Sequence, residues 1–297
     1  MSIAMDKEEL LSLLGTMPAK AELNLKVIEK VDCGTFIRKK ISYSAEVRET
    51  ILAFLCIPKG NLSPLPAIYC FHQHGGNLLL GKSEVVGLAG SPEQAYAKEL
   101  AERGYITLSP DAICFEERAD RIAPTDYHAD LLHTMLMQGQ TLLGKVLFEI
   151  GVGIDLLQSL PEVDSKKIGF LGHSYGGRIA LFAPTIDKRI KVSVSNCGST
   201  KFRTMLKQNI GIQLDFVVAN FLSYGDLEDV LCLADSCNLL ILGTDDDKWS
   251  QDIEEIYQYA KSAFVYSKLE RQIYSGKHKF SQEMRLRAYK FLEHHLN

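Results

Sequence analysis

The segment Gly172-His173-Ser174-Tyr175-Gly176-Gly177 sets a serine hydroxyl between glycines, where one hydrophobic pattern gives way to another. Ahead of it, Ile168, Phe170 and Leu171 make a short apolar run with the character of a buried strand; behind it, Ile179, Ala180, Phe182 and Ala183 recur at three-to-four spacing, as on a helix. A serine on so sharp a strand-to-helix turn has a strained backbone, and neighbours without side chains let strand and helix pack closely around it. This is the arrangement that presents a nucleophile on an elbow.

A serine hydroxyl is a weak nucleophile at neutral pH, so it needs an imidazole to take its proton and a carboxylate to hold that imidazole in one tautomer. With this elbow the acid and then the histidine follow the serine along the chain. Three histidines do so. His294 and His295 fall in the closing helical stretch, whereas His278 in "RQIYSGKHKF" comes after a short strand and before that helix, and it is the base we select. For the acid, "NLLILGTDDDKW" offers Asp245, Asp246 and Asp247 at the end of a strand. We select Asp246, three residues past Gly243, with Asp247 next.

Charge that develops on a carbonyl oxygen needs backbone N–H donors. Tyr175, directly after the serine, supplies one; the loop "QHGGN" after the strand "PAIYCFH" supplies the other, from His74 or Gly75. His72 and His74 also read as an H-x-H metal pair, but no further Cys/His cluster supports it, and we expect neither metal nor cofactor.

These residues need a frame. After a short amphipathic helix near residues 6 to 14, "LNLKVIEKV", "TFIRKKISYS" and "TILAFLCIP" read as closely connected strands, hence an antiparallel edge. From Pro66 onward compact apolar strands alternate with helical segments, which predicts a mostly parallel central sheet with helices on both faces, an α/β fold. Ligands of such sheets bind beyond the carboxyl ends of the strands. We expect one domain over residues 1–297, with the helix and edge strands in 1–60 and lid-like insertions near 112–137 and 199–234.

The chain carries a net charge of −4 and 46% hydrophobic residues, without a basic stripe interleaved with aromatics, so nucleic acid is not an expected partner. The Arg38-Lys39-Lys40 cluster reads as the exposed end of a strand. Neither a secretory signal nor a membrane span is legible. The seven cysteines, an odd number without a C-x-x-C pair, read as reduced, buried small hydrophobes, and the expected location is cytoplasmic.

With "FHQHGGN", "GYITLSPDAICFEER", "IGFLGHSYGGRIAL", "LLILGTDDDKW" and "GKHKF" in this order, residues 50 to 297 resemble the dienelactone hydrolase-like and acetyl-esterase-like branch of the α/β-hydrolase superfamily. The resemblance implies Ser174 as nucleophile, Asp246 as acid, His278 as base, and Tyr175 with the 73–75 loop as oxyanion donors. Dienelactone hydrolases proper use a cysteine nucleophile; Ser174 in its place favours an ordinary ester. The expected function is a serine hydrolase that cleaves a small carboxylic ester through an acyl-enzyme. A serine peptidase of the prolyl-oligopeptidase type and a catalytically silent binding protein of the same fold are the alternatives. Glu116, Glu117 and Arg118 fall near the active-site edge or form a surface ion-pair cluster.

Overall fold

The computed structural model describes residues 5–60 and 63–296. In chain order its elements are α1 (Lys7–Leu14), β1 (Lys26–Asp32), β2 (Phe36–Glu46), β3 (Glu49–Pro58), β4 (Leu65–Phe71), α2 (Lys82–Val85), α3 (Tyr96–Glu102), β5 (Ile106–Pro110), α4 (Pro124–Met137), α5 (Leu142–Ser159), β6 (Val163–His173) and α6 (Tyr175–Ile186). They continue with β7 (Ile190–Asn196), α7 (Phe202–Lys207), α8 (Phe221–Tyr224), α9 (Leu227–Cys232), β8 (Asn238–Thr244), α10 (Ile253–Ala260), β9 (Leu269–Tyr274) and α11 (Gln282–Leu296). The nine strands form one sheet in the order β1-β2-β3-β5-β4-β6-β7-β8-β9. The pairs from β1 to β5 at one edge are antiparallel, and every pair from β5 through β9 is parallel.

Because side chains alternate along a strand, each central strand feeds two cores. Ala67, Tyr69 and Phe71 of β4 point with Ile168 and Phe170 of β6 into the core covered by α5 and α6. Ile68 and Cys70 join Leu171, Leu240 and Leu242 in the core under α3 and α11. The short apolar runs of the sequence are therefore strands buried on both faces, the reason they lack polar alternation.

Arg38, Lys39 and Lys40 lie inside β2, not at its end, and are only partly exposed; Arg38 sits over the Phe54 ring and Lys40 pairs with Glu117. All seven cysteines are free thiols. Among the described residues no helix is long and apolar enough to cross a membrane. The stretch 112–137 carries α4, and 199–234 carries α7, α8 and α9 with a 3₁₀ turn, Leu214–Phe216, between the first two.

Candidate active site

The carboxyl ends of β4, β6, β7, β8 and β9 bring the selected residues to one edge of the sheet. Ser174 follows β6 directly and has φ 58° and ψ −112°, a conformation that costs a non-glycine residue about 1–3 kcal/mol and persists only where its surroundings impose it. The surroundings do impose it. The Ser174 N–H donates to the Asn196 carbonyl at the end of β7 at 2.7 Å, and the Arg178 N–H donates back to the Ser174 carbonyl at 2.9 Å as α6 begins. A β-carbon on Gly176 would stand 2.2 Å from the Phe71 carbonyl oxygen, and one on Gly177 2.2 Å from that of Asn196. These glycines are close-approach residues, needed so that α6 can start against β4 and β7.

The structure sets Asp247, not the selected Asp246, against His278. His278 Nδ1 lies 2.9 Å from Asp247 Oδ2, whereas Asp246 is exposed. The reason is the β8–β9 ladder, which runs past the end of β8: the Asp245 N–H donates to the Tyr274 carbonyl and the Asp246 N–H to that of Gly276. Asp247 is the first of the three acids free of that ladder, and it turns inward. Its Oδ2 also accepts the Ser250 hydroxyl at 2.6 Å and its Oδ1 the Trp249 N–H at 3.0 Å. Burial pushes the Asp247 carboxyl up, but these hydrogen bonds and the His278 ring outweigh it and hold it below the usual aspartate range.

Two residues that the sequence reading passed over tie the elbow to the His278 loop. The ring of His173 packs 4.7 Å from that of His278, centroid to centroid. Burial, reinforced by the neighbouring His278, holds His173 well below the usual histidine range, which favours the neutral ring. Asn196 Nδ2 contacts His173 Nδ1 at 2.7 Å and donates to the Lys279 carbonyl at 3.1 Å. One amide side chain thus joins the ends of β6 and β7 to the loop after β9. The signal for both residues was their position at the strand ends beside the elbow.

Of the expected oxyanion donors, Tyr175 begins a helix, and His74 and Gly75 lie in the loop after β4. Tyr175 opens α6, and the first N–H groups of a helix lack intrahelical acceptors. In the facing loop Gly75 and Gly76 have φ 57° and 70°, and the Gly76 N–H is committed to His74 Nδ1 at 3.1 Å. The H-x-H pair does not converge on one point: His72 is bonded through both nitrogens, Nδ1 to the Gln73 carbonyl at 2.8 Å and Nε2 to the Ala112 N–H at 3.1 Å.

Ser174, Tyr175, Arg178, Cys197, Gly198, Gln213 and Trp249 line a pocket of about 10 Å³. Gln213 and Trp249 also border a wider cavity of about 480 Å³, with His74 and Leu78 from one loop and Pro124 and His128 at the start of α4. Arg178 anchors the wall: its guanidinium is buried between the Phe202 and Phe216 rings and donates to the Thr200 carbonyl at 2.9 Å. Burial lowers its pKa to about 10, against the pull of Asp226 and Asp252.

Glu116, Glu117 and Arg118 form a largely buried ion network, not a surface cluster. Lys82, fully buried, reaches Asp111 at 2.6 Å, Glu116 at 2.7 Å and Glu117 at 2.5 Å. Arg118 pairs with Glu149 at 2.6 Å and with Glu49.

A serine elbow at the carboxyl edge of a mostly parallel sheet, with an aspartate–histidine contact from the loops after β8 and β9, is the arrangement of the α/β-hydrolase fold. The profile of the dienelactone hydrolase family matches residues 51–296, and the chain belongs to that family. It is 27% identical to YtaP of Bacillus subtilis (strain 168) over 206 residues, 69% of this chain and 67% of that one. Among solved structures, a glucuronoyl esterase from Solibacter usitatus superposes with a TM-score of 0.73 at 17% identity, covering 98% of this chain and 92% of that one. Acetyl xylan esterase 1 from Thermoanaerobacterium sp. JW/SL YS485 gives 0.61 at 15% identity, covering 99% and 100%.

Proposed function

We propose that the protein is a serine esterase in which Ser174 attacks the carbonyl of a small acyl ester, His278 accepts the hydroxyl proton and Asp247 holds the imidazole. Backbone N–H groups of Tyr175 and of His74 or Gly75 stabilise the oxyanion of the tetrahedral intermediate. Collapse of that intermediate releases the alcohol, protonated by His278, and leaves an acyl-Ser174 ester; water, deprotonated by the same ring, then frees the acid.

The observation that carries this reading is the Asp247–His278 contact of 2.9 Å, packed through His173 against the strained serine. Nδ1–H donated to the carboxylate leaves the Nε2 lone pair to take a proton. The dimensions of the site support the substrate class. The pocket at the serine is much the smaller of the two and matches a short acyl group such as acetyl. The adjoining cavity of about 480 Å³ suits a bulkier alcohol, of the size of a sugar. By its name one solved neighbour acts on acetyl esters of xylan, which agrees with that division; the other acts on glucuronoyl esters, in which the sugar supplies the acyl part.

The test is a paired screen. Nitrophenyl esters from acetate to octanoate are compared with peptide nitroanilides, and a fluorophosphonate is used to label the wild type and Ser174→Ala. Turnover of acetate above octanoate, with one label per chain at Ser174, is the expected result. Preference for the anilides would make the protein a peptidase, and a folded protein that neither turns over nor labels would make it a binding protein.

A further inference from the structure

We propose that His74, His128 and Asp215 form a binding site for one divalent transition-metal cation, of the zinc, cobalt or nickel kind, in the wall of the cavity that adjoins Ser174. The three residues come from separate parts of the chain: the loop after β4, helix α4, and the 3₁₀ turn Leu214–Phe216. One ligand atom from each lies within 4.8 Å of the other two.

The pair at the centre has the spacing of ligands. His128 Nε2 and Asp215 Oδ2 are 3.4 Å apart, their side chains are 3% and 0% exposed, and neither atom has a hydrogen-bond partner. Bonds of about 2.1 Å at a tetrahedral cation put neighbouring ligand atoms about 3.4 Å apart. A buried acceptor without a partner is costly, and a cation between these atoms would satisfy both. The other oxygen of Asp215 already accepts the Tyr175 hydroxyl at 3.0 Å, the kind of outer contact that orients a ligating carboxylate.

His74 completes the set. Its Nδ1 accepts the Gly76 N–H at 3.1 Å, and ligation through either ring nitrogen ends that bond: through Nδ1 directly, through Nε2 because the ring proton then moves to Nδ1. The loop bearing His74 needs to close by about an ångström for three bonds of normal length. Two imidazoles and one carboxylate suit zinc, cobalt or nickel better than calcium or magnesium.

Two other groups of titratable side chains have comparable spacing and are already occupied. Lys82 places its ammonium among Asp111, Glu116 and Glu117, and Cys197, Asp247 and His278 belong to the site described above. His74 and His128 also line the 480 Å³ cavity, so the remaining coordination positions are open to water or to an oxygen of its occupant. A cation there would be linked to Tyr175 through Asp215.

The experiment uses untagged protein, stripped with a chelator and dialysed, then titrated with Zn²⁺ by calorimetry and with Co²⁺ by visible absorption. The expected result is one equivalent per chain, with the intense visible bands of a four- or five-coordinate cobalt site, both lost in His128→Ala and in His74→Ala. Asp215→Asn is the third arm; since its loss of the Tyr175 contact could disturb folding, circular dichroism accompanies each variant, and the two histidine variants decide the outcome. Failure of the wild type to bind one equivalent of Zn²⁺, Co²⁺ or Ni²⁺ would overturn the proposal and leave a plain His128–Asp215 ion pair. Equal binding by the two histidine variants would overturn it as well.

Discussion

Replacing Asp247 by asparagine should separate the acid that orients His278 from its two neighbours. The change preserves shape, and Oδ1 can still accept the Trp249 N–H. The group facing His278 Nδ1 changes. An amide NH₂ turned toward the ring donates where the carboxylate accepted, so the ring adopts the tautomer with its proton on Nε2 and cannot receive one from Ser174. The imidazolium formed during attack also loses its counter-charge. With about 4 Å between charge centres and an effective dielectric of about 20, that attraction is about 4 kcal/mol, or about three powers of ten in rate. The tautomer adds to this, which brings the expected loss in kcat to about 10⁴-fold. Asp246→Asn alters an exposed side chain and leaves the backbone bond to Gly276 in place, so its effect should be within about twofold. Steady-state hydrolysis of nitrophenyl acetate measures both, with burst kinetics to confirm that acylation is the slowed step. A crippled Asp246→Asn enzyme beside an Asp247→Asn enzyme that keeps a tenth or more of its activity would refute the reasoning.

Gly176→Ala should destabilise the protein by about 1–3 kcal/mol or prevent its accumulation, because the new methyl meets the Phe71 carbonyl at 2.2 Å; urea unfolding measures this, and an unchanged midpoint would show that α6 can move away from β4. Trp249→Ala, which removes a wall shared by the small pocket and the cavity, should shift the chain-length preference from acetate toward butyrate and hexanoate, read as kcat/KM ratios. Lys82→Met should cost about 3–5 kcal/mol at pH 8, since Asp111, fully buried, loses its ammonium partner. Burial lifts the Asp111 carboxyl to about 7 even with Lys82 in place, so between about pH 4 and 7 the folded state holds a proton that the unfolded state has released, and this group's contribution to stability falls as pH rises through that window. The penalty of Lys82→Met should accordingly be smaller at pH 5 than at pH 8 in thermal denaturation, and a constant or opposite trend would remove Asp111 as its source.

The fold was legible in the sequence because its signals are local. Runs such as Ile68–Phe71 and Leu239–Leu242 are apolar on both faces, and only a strand covered by helices on both sides tolerates that pattern. The elbow was legible for the same reason: Gly172, Gly176 and Gly177 bracket Ser174 within six residues, and their steric demand is local to the turn. Which of three adjacent aspartates meets His278 was not local information. It depends on how far the β8–β9 ladder continues, and the bonds of Asp245 and Asp246 to the β9 side decide it. Asn196, whose amide joins the ends of β6 and β7 to the loop after β9, is marked in the sequence only by standing at a strand end, and the convergence of His74, His128 and Asp215 carries no spacing signal at all. Their partners lie tens of residues away: the parallel β6–β7 pairing sets Asn196 beside His173, and the packing of α4 and the Leu214–Phe216 turn over the sheet edge brings His74, His128 and Asp215 near one another.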